Sequence, residues 1–209
     1  MCTRFYIDAD NRFVRELKEK AEMTKLAERF RNKTQKSISF GEKRPADIVP
    51  VLAPDKENRP AVFPMQWGFR MKKGSLLINA RSETAGEKIT FAESWKYHRC
   101  IIPSSCYFEW KHLTDENGKK KTGDRFAIKP KDSDITYLAG IYRIEDGLPV
   151  FVVLTREPSE DVKAIHDRMP LIFSEADIQA WMDIKSEPGE LLLKAVTDLS
   201  VDMAAEYDL

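Results

Sequence analysis

Between Pro60 and Thr155 the chain is cut into a train of short apolar and aromatic runs: AVFPMQWGF, SLLINA, RCIIPSSCYFEW, RFAIKP, ITYLAGIYR and PVFVVLT. Each run has the length of a strand and ends at Gly, Pro, Asp or Asn. This is the pattern of a largely antiparallel sheet. Helical periodicity is confined to other places. In NRFVRELKEKAEMTKLAERFR (11–31), Phe13, Leu17, Met23 or Thr24, Ala27 and Phe30 recur at helical spacing, so the segment reads as one amphipathic helix with Asn11 as its N-cap. FAESWKYH (91–98) and the stretches 159–165 and 174–183 read as short helices, the last capped by Ser174. Residues 33–60 are rich in proline and read as loop, with IVPVLA a short apolar run broken by Pro50. ENGKKKTG (116–123) reads as a hairpin tip built on Asn117-Gly118 with solvated lysines. The fold class expected is α+β: a mixed, largely antiparallel, barrel-like β-sheet with peripheral helices, in a single domain spanning 1–209.

Lysine plus arginine balance aspartate plus glutamate at 34 each, so no global field recruits a polyanion. Any nucleic-acid contact must come from a local patch. The three cysteines, Cys2, Cys100 and Cys106, and the three histidines lack metal-ligand spacing, so neither metal nor cofactor is expected. Free thiols in this number fit a reducing compartment. Without an apolar leader or a run of membrane-spanning length, the chain reads as cytoplasmic.

A few polar residues stand where apolar ones are expected. Cys2 follows the initiator methionine directly, and removal of Met1 leaves an α-amine and a thiol on adjacent carbons. Such a 1,2-aminothiol condenses with an aldehyde to an imine, and its sulfur then closes a thiazolidine ring. Reference pKa values of about 8 for the amine and about 8.5 for the thiol leave usable deprotonated fractions near neutrality. The alternative is a cysteine of no consequence. In CYFEWKH, Tyr107, Glu109 and Lys111 share one strand face and Phe108 and Trp110 the other. Glu109 is ordinary if its face is solvated and a usable acid or base if that face lines a cleft. Asn79 and Arg81 lie two apart in LLINARSET. The first is able to hold an α-amine and the second presents a fork suited to phosphate. In AIHDRMPLIF, His166 and Arg168 stand at an element end before Pro170. Trp67-Gly68 offers an aromatic plane beside a residue without a side chain, fit for a base or for the core.

Cys2, Trp67-Gly68, Asn79-Ala80-Arg81 with Glu83-Thr84, Phe108-Glu109-Trp110 and His166-Asp167-Arg168 with Pro170 occur in the order of one family. From Cys2 to about Trp181 the chain resembles the SOS response-associated peptidases, also described as abasic-site processing proteins. The resemblance implies an enzyme of the DNA-damage response whose mature N-terminal Cys2 crosslinks, as a thiazolidine, to the ring-opened abasic site in single-stranded DNA. Asn79 would position the amine, Glu109 open the deoxyribose and shuttle protons, and His166 steady the sugar oxygen. Arg81 and Arg168, with Arg4 as a third, would clamp phosphates, and Trp67 beside Gly68 would stand where the strand is splayed. Such contacts are few, so binding should be modest and salt-sensitive. The family name also implies self-cleavage of whatever precedes the cysteine. One site per chain implies a monomer, nucleoid-associated when on DNA. A cysteine-dependent peptidase or amidohydrolase, and a non-catalytic single-strand-binding module, are the competing readings. Two segments depart from the family pattern: 36–54 lacks an Asn-x-Ala-Pro stretch, and the C-terminus lacks the expected closing strand.

Overall fold

The computed structural model describes residues 2–72, 74–114, 118 and 120–207. Five strands close on themselves: Ile48–Pro54, Pro60–Trp67, Leu148–Arg156, Thr136–Glu145 and Arg99–Ser104, the last returning to the first through Leu52 opposite Ile101. Four of the joints are antiparallel. Pro60–Trp67 runs parallel to Leu148–Arg156, with Val150 opposite Gln66, so the barrel is mixed. Its tightest connection is the Asp146-Gly147 turn, where both residues have positive φ (50° and 76°), as a two-residue hairpin of matching twist requires. Six successive residues of Arg99–Ser104, and eight of the nine in Leu148–Arg156, are buried. Strands covered on both faces need no polar alternation, which is why these segments read as unbroken apolar runs.

A second sheet of five strands leans on the barrel in the order Leu199–Met203, Lys120–Pro130, Cys106–Thr114, Arg4–Ile7, Gly41–Lys43. The two sheets share the chain at Ser105. Its N–H donates to Tyr6 O, its hydroxyl accepts from Asp8 N, and its carbonyl accepts from Thr136 Oγ1. Strand alternation then sends Phe5 and Tyr107 toward the barrel, where Phe5 packs on Trp67 with ring centroids 4.9 Å apart. Tyr6, Phe108 and Trp110 pack on the other face with Tyr207.

The N-terminal helical segment is two helices, Arg12–Glu22 and Lys25–Thr34, not one. Asn11 caps the first, its side chain accepting from Val14 N. Thr24 opens the second by accepting from Ala27 N at 3.1 Å while its hydroxyl donates back to Ala21 O at 2.7 Å. A threonine bonded both ways across Met23 ends one helix and starts another without losing the apolar stripe. That stripe is carried by Val14, Leu17, Ala21, Ala27 and Phe30, and Phe13 lies outside it, 38% exposed. IVPVLA is a barrel strand rather than loop: Pro50 stands opposite Pro64, so both missing donors fall on one rung. The C-terminus supplies a strand after all, Leu199–Met203, paired with Phe126–Pro130. The expected Asn117-Gly118 tip falls largely outside the described residues, although its flanking strands are antiparallel with Thr114 opposite Lys120.

Candidate active site

The residues that sequence singled out converge from four elements. Cys2 precedes Arg4–Ile7, a strand held by ladders on both sides, and is fully buried. Asn79 opens the strand Asn79–Arg81, which runs parallel to Leu148–Arg156 with Val153 opposite Asn79. Its Nδ2 donates to Cys2 O at 2.8 Å, bridging the two elements, while its buried Oδ1 makes no hydrogen bond. Glu109 is buried on the barrel-facing side of Cys106–Thr114, so its face is not a solvated one. His166 follows the short helix Glu160–Lys163, its N–H donating to Val162 O at 3.0 Å, and is 7% exposed.

Burial dominates the electrostatics. It pushes the Cys2 thiol far above its ordinary range, and the neighbouring Glu109 carboxylate adds to the rise. It pushes the Glu109 carboxyl up to about 7. It holds His166 down to about 4, helped by the His112 ring, whose centroid is 4.3 Å away. At neutral pH the imidazole is therefore uncharged. Its Nδ1 accepts the fixed backbone N–H of Arg168 at 3.0 Å and also lies 2.8 Å from the exposed carboxylate of Asp167. A backbone donor cannot turn away and a surface carboxylate can, so we place the neutral ring's proton on Nε2. A thiol held protonated and a histidine held neutral do not make a thiolate–imidazolium pair.

The other candidates are distributed less simply. Arg81 is exposed at the end of the Asn79 strand. Arg4, half-buried, pairs with Glu42 at 3.1 Å, as does Arg44 at 3.0 Å, and Arg125 also reaches that carboxylate. Arg168 is buried and spoken for. Its two terminal nitrogens grip Glu83 at 2.8 Å each, and one of them also donates to Thr155 O, so in this form it braces the site rather than facing a phosphate. Burial opposes the charge on Glu83, but the Arg168 hydrogen bonds prevail and hold its carboxyl below the usual range. Trp67 does not offer a stacking plane either. It is fully buried between Phe5 and Phe151. Its Nε1 donates to Ile78 O at 2.9 Å, which fixes the residue preceding Asn79. Gly68, at φ +116°, has Leu76 Cβ 3.2 Å from where its own Cβ would stand. Sequence reasoning missed two further neighbours, the buried hydroxyl of Tyr107 and the exposed ring of His112; both lie within three residues of Glu109 in CYFEWKH. Among the described residues no group of three or more His, Cys, Asp or Glu is arranged to hold a metal. No helix among them is long and apolar enough to cross a membrane.

A profile of the SOS response associated peptidases (SRAP) matches residues 1–206. The chain belongs to that family. Among its relatives, abasic site processing protein YobE of Bacillus subtilis is 33% identical over 78% of this chain and 76% of its own length. Abasic site processing protein YoqW of the same organism is 32% identical over 68% of this chain, and YedK of Escherichia coli 29% over 63%. The matches cover 64% of YoqW and 60% of YedK, so the chain spans less than two thirds of those relatives. The fold recurs in a crystal structure from Bacteroides thetaiotaomicron, with a TM-score of 0.69 at 21% identity over 96% of this chain and 90% of that one. It recurs also in a phage-related protein from Bordetella bronchiseptica, with a TM-score of 0.68 at 17% identity over 98% and 94%.

Proposed function

We propose that this chain, once it begins at Cys2, processes abasic sites by crosslinking itself to the ring-opened sugar aldehyde in single-stranded DNA. The observation that carries this reading is the hold of Asn79 on Cys2: Nδ2 fixes the carbonyl while Oδ1, buried without a partner, faces no competing donor. An amine freed at Cys2 is the donor that such an acceptor lacks. The amine attacks the aldehyde carbon. Glu109, poised near neutrality, gives a proton to the departing oxygen, which leaves as water, and an imine remains. The sulfur then adds to the imine carbon, and its proton passes to nitrogen, closing the thiazolidine. Neutral His166 donates from Nε2 to the sugar oxygen. Arg81 and Arg4 meet flanking phosphates, and Arg168 acts through Glu83 and Thr155 to keep the site's walls in register. For self-removal of whatever precedes Cys2, Glu109 and His166 serve water that attacks the preceding carbonyl, and the departing Cys2 nitrogen takes a proton to become the free amine. The alternative of a thiolate hydrolase is disfavoured by the protonated thiol and the neutral histidine.

The test is a single-stranded oligonucleotide carrying one abasic site, incubated with protein shown by intact mass to start at Cys2. A heat-stable adduct on a denaturing gel, lost in Cys2→Ala, is expected. No adduct, or an undiminished one from Cys2→Ala, ends the proposal.

A further inference from the structure

Tyr107 is fully buried, and its hydroxyl has no hydrogen-bond partner. Phenylalanine would fill the same space without stranding a polar group, so an unpaired hydroxyl there asks for a reason. Its position supplies one. Tyr107 stands two residues before Glu109 on the same strand face, opposite Phe5, and the charge of Cys2 is felt at its hydroxyl. The sulfur of Cys2 meanwhile donates to Arg4 O at 3.6 Å. A carbonyl favours only the protonated thiol. When the S–H proton leaves during ring closure, that contact turns repulsive and the sulfur needs a donor instead. The Tyr107 hydroxyl is an unspent donor on the strand face that Phe5 covers. Burial, with Glu109 and Cys2 adding to it, holds its own proton in place far above neutral pH.

We propose that the Tyr107 hydroxyl donates a hydrogen bond to the Cys2 sulfur as the thiazolidine ring closes, a role that rests on the crosslinking function proposed above. In that step a C–S bond forms, and the C=N π pair moves to nitrogen. Nitrogen takes the proton that sulfur gives up, carried by Glu109. Tyr107 keeps its own proton throughout, and no oxidant or reductant is involved.

Tyr107→Phe removes one oxygen and nothing else. Borohydride trapping of the imine and gel assay of the heat-stable adduct separate the two steps, each followed from about pH 5.5 to about pH 8.5. Expected is imine formation at the wild-type rate, ring closure slowed by about tenfold, and the rising limb of the closure profile displaced to higher pH. Closure at the wild-type rate with an unmoved pH profile overturns the assignment. Equal loss of both steps with a lowered melting temperature also overturns it, because it marks a structural role alone. Wild-type protein beginning at Cys2 that forms no adduct at all overturns the crosslinking function and this inference together.

Discussion

Glu109→Gln should make the protein more stable at alkaline pH while disabling it. A glutamate that ionises at about 7 when folded, against 4.5 ordinarily, stays neutral in the native state where the unfolded chain is already charged. Stability from this group is fully present below pH 4.5 and is lost as pH rises through about 7. At about 1.4 kcal/mol per pH unit, the interval amounts to about 3 kcal/mol. Because Glu109 is only 3% exposed, solvent screening takes little of this away. Glutamine fills the same volume and never ionises. Wild type and Glu109→Gln should therefore have similar stability near pH 4.5 and diverge above it. By about pH 8.5 the variant should lead by about 3 kcal/mol, or by roughly 6–12 °C in melting temperature for a domain of this size. Urea titrations of both proteins at the two pH values measure the difference, in which titrating groups that do not feel Glu109 cancel. Parallel stability curves would refute the reasoning, since they mean that Glu109 ionises in the fold as readily as in water.

Cys2→Ser retains the amine but exchanges the sulfur for a weaker nucleophile, so borohydride should still trap an imine while the heat-stable adduct disappears. Arg81→Ala should lower the salt dependence of binding to single-stranded DNA by about one phosphate contact and leave the melting temperature unchanged. Arg168→Ala, which breaks the grip on Glu83 and Thr155, should cost about 2 kcal/mol by chemical denaturation. Arg99 is buried and donates to the carbonyls of Trp95, Lys96, Trp181, Asp183 and Ser186, joining two helix ends to the barrel. Arg99→Met leaves those acceptors unsatisfied and should destabilise the fold by at least about 3 kcal/mol, read from its urea midpoint.

Much of this molecule is legible in the chain because its signals are local. Strand runs bounded by turn residues, the Asn11 cap and the alternation through CYFEWKH each report on their own neighbourhood. What escapes is whatever distant partners decide. Pro50 breaks a strand in isolation but fits one when Pro64 is its opposite number. Thr24 passes for a helical residue until its hydroxyl is seen bonding both helices. The same holds at the site. The residues at 2, 79, 109 and 166 stand out by type as polar groups in apolar surroundings, whereas whether Arg168 faces phosphate or a carboxylate depends on Glu83, 85 positions away. Trp67 shows the limit most plainly. An aromatic beside glycine suits a base platform and a core brace equally, and only the rings of Phe5 and Phe151 on either side decide.

The placement of Arg4–Ile7 between two antiparallel neighbours has a mechanical meaning. An attachment at Cys2 would not hang from a loose tail. A pull on that attachment directed along Arg4–Ile7 would load the rungs to Gly41–Lys43 and Cys106–Thr114 in shear, all together rather than one after another. Release by force would then require tearing a middle strand out of its sheet, a slow event governed by the unfolding rate of the whole fold.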